Sequence, residues 1–169
     1  MSTFPAPSLS LAGYVLAHAA WSISEADQDE HLCPLAIVER RDGARRLRRF
    51  EAESQEAAIL AGKDAMHEAS SDAAAWAFAR EGAWRKMDAD KSGDVLAIDF
   101  WAIGMPDVAT FIQPFHRGSR GGRFRIGGVP TLVVGDKLLP RDEADPIIDA
   151  IVAAVDAHVV VAKLWPTWR

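Results

Sequence analysis

Five oxygen-bearing side chains between Asp88 and Asp99 have the types and spacing to hold a hard cation. Asp88, Asp90 and Ser92 alternate, Gly93 sits at a turn position, Asp94 follows, and Asp99 closes the run. Calcium takes about six to eight oxygens from a flexible loop, and this spacing supplies several of them. A second group suits anions. Arg40, Arg41, Arg45, Arg46, Arg48 and Arg49 crowd one stretch, and Arg117, Arg120, Arg123 and Arg125 stand in a glycine-rich one. Guanidinium binds phosphate and carboxylate bidentately, and glycines let backbone amides approach an anion. The competing reading of the arginines is a solvated face that keeps an exposed strand from pairing with other chains. Thiol and imidazole chemistry have little to work with. Cys33 is the one cysteine, so an internal disulfide and a cysteine-rich zinc site are excluded, which suits a reducing cytoplasm. None of His18, His31, His67, His116 and His158 shows a metal-site spacing, and His18 on an apolar face reads as a core histidine. No catalytic arrangement and no cofactor motif stands out.

Asp88, Asp90, Ser92, Gly93, Asp94 and Asp99 resemble the loop of a calcium-binding EF-hand. The resemblance implies helices on both sides, with Phe78, Trp84 and Met87 before the loop and Phe100, Trp101 and Met105 after it. The alternative is a hairpin, with residues 75–87 as one strand, 94–103 as its partner and an Asp/Ser/Gly turn between them. The stretch IGGVPTLVVGDK (126–137) resembles the proline strand of thioredoxin-like proteins, which lies beside a redox cysteine. Here Cys33 is followed by Pro34 and a strand, with no second cysteine nearby.

The elements that must position these residues follow from periodicity. Leu11, Tyr14, Val15 and His18 give a helix over 9–25, with Ser8 or Ser10 as its cap. Residues 35–52 form a hairpin about Asp42-Gly43, a pair suited to a type I′ turn. Ser54 caps a helix to about Ala69. Residues 74–82 alternate, with Trp76, Phe78 and Arg80 on one face. On the other, Ala75, Ala77 and Ala79 leave room for a helix to pack close. Residues 94–104 and 110–115 are strands, 130–139 turn back at Gly135-Asp136, and Asp145-Pro146 opens a helix to about Lys163. Strands come in runs, which predicts an α+β fold: an antiparallel sheet packed with about three helices, in helix–hairpin–helix–strands–helix order. That order is similar in topology to the roadblock/longin layout.

The 169 residues predict a single α+β domain over 1–169, with a flexible loop near 116–122. A net charge of -5 argues against nucleic acid as a partner, and no run is long and apolar enough for a membrane. The N-terminal run lacks the basic start of a signal peptide. Six tryptophans against one tyrosine predict aromatic packing, and Trp165 and Trp168 in WPTWR need a surface to cover them. The expectation is a non-enzymatic cytoplasmic interaction or binding module acting as a homodimer, with a possible protein partner. The alternatives are a calcium-binding protein using 88–99, and a small-anion binder or enzyme with a pocket near 117–128.

Overall fold

The computed structural model describes residues 3–85, 92–118 and 123–169. The fold is α+β, with four α-helices and one eight-stranded antiparallel sheet among the described residues. In chain order the elements are α1 (Ala6–Glu25), β1 (Leu35–Arg40), β2 (Arg45–Arg49), α2 (Gln55–Ala69), β3 (Ala73–Arg85), β4 (Ser92–Ala102), β5 (Ala109–His116), β6 (Arg125–Ile126), β7 (Thr131–Val134), β8 (Lys137–Leu138), α3 (Arg141–Ala153) and α4 (Val161–Trp168). A 3₁₀ turn at Ala154–Ala157 joins the last two. The sheet runs β2-β1-β3-β4-β5-β7-β8, and β6 adds a short rung to β5. Among the described residues no helix is long and apolar enough to cross a membrane.

The alternation in β3 divides the two sides of the molecule. Ala75, Ala77 and Ala79 lie fully buried beneath α1, together with Leu96, Ile98 and Phe100 of β4. Small side chains let α1 approach the sheet, and Leu11, Val15, Leu16 and Ile23 fill the space left. α3 and α4 complete this face. On the other face Trp76 and Phe78 pack under α2 with Ala36, Phe50 and Met66. Two glycines permit close crossings. A methyl group on Gly62 of α2 would lie 2.3 Å from the Phe78 ring, and one on Gly13 of α1 would lie 2.3 Å from the Ile151 carbonyl oxygen of α3.

Several boundaries depart from the sequence reading. α1 starts at Ala6 behind Pro5, and Ser8 Oγ donates to the Pro5 carbonyl rather than capping from outside. The β1–β2 turn is not type I′. Only Gly43 has positive φ (85°), and its N–H bonds to Arg40 O, so the loop closes as a tight turn plus a glycine bulge. α3 begins at Arg141 rather than Asp145, leaving Pro146 inside it. There it removes the N–H that would have bonded the carbonyl of exposed Asp142. The helix expected to reach Lys163 stops at Ala153. A separate α4 starts at Val161, whose N–H donates to His158 Nδ1.

The hairpin reading of 75–103 agrees with the strands observed. β3 and β4 pair from Ala75↔Ala102 to Arg85↔Ser92. The flanks that a calcium loop would need as helices are therefore strands. Asp88 and Asp90 lie outside the described residues, as do 119–122 of the loop expected to be flexible. At the start of that loop, Gly118 O accepts a bond from Gln28 Nε2 at 3.0 Å.

Candidate ligand-binding cleft

The strand side of the cleft comes from β5. Alternation buries Ala109, Phe111 and Phe115 against the helices, and it places Gln113 among them, only 3% exposed. Gln113 Nε2 donates to the Pro114 carbonyl at 3.0 Å, and among the described residues no donor bonds its Oε1. Opposite stand α3 and α4, and between them and the sheet lies a cleft of about 380 Å³. Its floor is Gln113, Ile126, Ile148 and Trp165, all buried. Exposed Arg141, Asp149 and Arg169 form the rim, with Gly128 at its edge.

Two features of this cleft are chemical. First, Trp165 is 5% exposed, and its indole N–H is buried without a hydrogen-bond partner. Buried indole N–H groups normally find an acceptor. Second, the rim is zwitterionic. Arg141 is engaged, with Nε 3.1 Å from Asp145 and Nη1 donating to Pro130 O at 3.2 Å. Asp149 and Arg169 form no ion pair among the described residues.

The sequence did not single out this site. The sequence places Gln113 only in a strand, and it places Trp165 and Trp168 beyond the last helix, needing a surface to cover them. Instead α4 turns them inward, and Trp168 stacks edge-on against Phe124 at 5.0 Å between ring centres. A polar residue at an inward position of the run TFIQPF was the available signal.

The expected site residues are dispersed. Arg117 is spent on Glu81: both its terminal nitrogens donate to that carboxylate, and Nη2 also bonds Glu30 O at 2.8 Å. Glu81 additionally accepts the Leu32 N–H at 2.9 Å, with His31 Nδ1 3.6 Å away. Burial alone would raise the Glu81 pKa. The Arg117 and Leu32 hydrogen bonds and the Arg117 and His31 charges outweigh it and hold the carboxyl below its usual value. The cluster therefore pins residues 30–32 to the end of the sheet and has no proton to exchange near neutrality. Arg123 and Arg125 are exposed, and Arg120 lies outside the described residues. The two arginine groups do not merge, because β1, β3 and β4 separate β2 from β5, roughly 19 Å.

Asp94 and Asp99 project from opposite faces of β4, being an odd number of positions apart. Asp94 lies 3.7 Å from Arg117, while Asp99 accepts from Arg80 and from Thr110 Oγ1 at 2.6 Å. Ser92 pairs with Arg85 at the start of β4. Cys33 lies beside β1, four strands from the proline-led β7, and the Pro130 peptide is trans. Burial and the Glu51 charge push its thiol pKa up, away from the thiolate that redox chemistry needs.

His18 proves more than a satisfied core histidine. Its Nδ1 lies 3.2 Å from His158 Nε2, and its Nε2 lies 3.4 Å from Arg49 Nη2. His158 Nδ1 accepts the Val161 N–H at 3.3 Å, at the start of α4. Comparison of the chain with family models, curated proteins and solved structures returned no match.

Proposed function

We propose that this protein is a non-enzymatic binding module whose cleft takes a polar small molecule of amino-acid size. The observation that carries the reading is the pair of buried polar side chains, Gln113 and Trp165, in a floor whose other residues, Ile126 and Ile148, are apolar. Ligand sites combine an apolar lining with a few fixed polar groups, at volumes of about 300–1,000 Å³. Here the Gln113 amide can orient a polar head, and Ile126, Ile148 and Val152 can take an apolar body. The partnerless Trp165 N–H supplies a donor for an acceptor on the ligand. Asp149 and Arg169 select a molecule carrying both charges.

The test is NMR of the ¹⁵N-labelled protein, with the Trp165 indole N–H followed during titration with a panel of L-amino acids. The expected result is a saturable shift of that resonance by part of the panel, abolished when Val152→Trp fills the cleft. A Trp165 resonance that no amino acid moves would refute the reading.

A homodimer forms the second part of the proposal, supported by the uncovered half of the sheet. α2 covers β1 and β3 only. Over β5 and β7 the same face presents Ile112 and Val133, both half-buried and outside the cluster that α2 covers, while Trp101 of β4 packs at its edge.

A further inference from the structure

The edge strand β2 carries a feature that the cleft does not use. Its five residues, Arg45, Arg46, Leu47, Arg48 and Arg49, are all exposed, and it pairs with β1 alone. The ladder can be read from its ends. Arg40 N–H bonds Ala44 O and Phe50 N–H bonds Pro34 O, with Val38↔Arg46 and Ala36↔Arg48 between them. Hydrogen-bonded pairs alternate along an antiparallel ladder. The backbone groups of Arg46 and Arg48 therefore face β1, and those of Arg45, Leu47 and Arg49 face outward. Three N–H and three C=O groups form an open edge ready to accept another strand.

Charge decides which strand. Side chains leave β2 on both faces. Arg46 and Arg48 lie on the α2 side, bordering a groove of about 500 Å³ whose apolar lining includes Val38, Ala65 and Met66. Arg45, Leu47 and Arg49 lie on the α1 side. Among the described residues only Arg45 has an acidic partner, Glu39 at 2.8 Å. A second copy of β2 would set arginine against arginine on both faces, and directly opposed like charges are destabilising. The same residues that forbid self-pairing attract an acidic strand. The chain's net charge of -5 opposes a long polyanion such as nucleic acid, whereas a short segment meets mainly the arginines, with Glu68 and Asp72 of the groove beside them.

We infer that β2 docks an acidic, extended segment of another protein by strand addition, with carboxylates opposite the arginines and an apolar residue opposite Leu47. Strand addition draws affinity from main-chain bonds and specificity from alternate side chains. The RRLRR pattern reads the same in both directions, so a segment such as Glu-Glu-Val-Glu-Glu matches it either way round.

The probe is a fluorescein-labelled peptide containing Glu-Glu-Val-Glu-Glu, followed by fluorescence anisotropy with the full chain. The expected result is saturable binding, weakened at least tenfold by Arg46→Glu with Arg48→Glu. Both side chains are exposed, and circular dichroism checks that the variant folds. A peptide N-methylated at alternate residues keeps its charge but cannot donate to the edge, and it should also lose at least tenfold. Equal binding of the methylated peptide would overturn strand addition. Tighter binding of a single-stranded RNA of equal charge would overturn the choice of an acidic protein segment.

Discussion

At the scale of single residues, the His18–His158 pair has a forced proton arrangement. Val161 N–H donates to His158 Nδ1, so the His158 proton sits on Nε2 and points at His18 Nδ1. His18 then carries its own proton on Nε2, so that Nε2 and Arg49 Nη2, both donors 3.4 Å apart, form no hydrogen bond. No lone pair is left to take a further proton without breaking a contact. Both pKa values are accordingly lowered from 6.5, first by burial and, for His18, by the His158 and Arg49 charges as well. Tyr14 and Trp21 pack against His158 and bring no negative charge. A depressed folded-state pKa means that the unfolded chain binds more protons as pH falls. The stability from this pair is therefore complete above the unfolded value and lost below it. Urea midpoints should drop from pH 7.5 to pH 5.5, and drop less in His18→Gln/His158→Gln. An unchanged pH slope in that variant would remove the pair from the account.

Glu81 titrates in the same direction at lower pH, its carboxyl being lowered mainly through Arg117. Removing one partner of a buried pair leaves the other unbalanced. Arg117→Ala should cost about 3 kcal/mol in urea unfolding, and Arg117→Leu/Glu81→Leu should recover most of that loss.

At the scale of elements, helix propensity and packing point in opposite directions at Gly62. In an exposed helix interior, Gly→Ala adds about 1 kcal/mol of stability. In α2 the added methyl would meet the Phe78 ring, itself fully buried. Gly62→Ala should therefore lower stability, by about 1–3 kcal/mol as overpacking does. A thermal melt that rises instead would mean that α2 can lift from the sheet at little cost.

At the scale of the whole molecule, the open half of the sheet's second face bears on assembly. An edge-to-edge dimer through β2 would oppose arginines, whereas a face-to-face dimer would bury Trp101, Ile112 and Val133. Sedimentation velocity should show a dimer that Ile112→Arg converts to a monomer. A wild-type monomer at all concentrations would refute the dimer. In the middle of that face lie Arg80, Asp99 and Thr110, hydrogen-bonded to one another, so a dimer there would cover a polar group that is already satisfied.

The local elements were legible because they depend on short-range rules. Alternation in 74–82, the Ser54 cap (its Oγ accepting Ala57 N–H at 3.1 Å) and the turn at Gly135-Asp136 are read within a few residues, and each is present. The α+β class followed from the order of those pieces. What the sequence left open was decided by groups distant along the chain. Nothing near Arg117 announces that Glu81, 36 positions away, will take its charge. Nothing near His18 announces His158, 140 positions away. The cleft likewise depends on one inward glutamine of β5 meeting a tryptophan that α4 turns into the core. Periodicity states which way a side chain points; only the packing of sheet and helices decides what it meets.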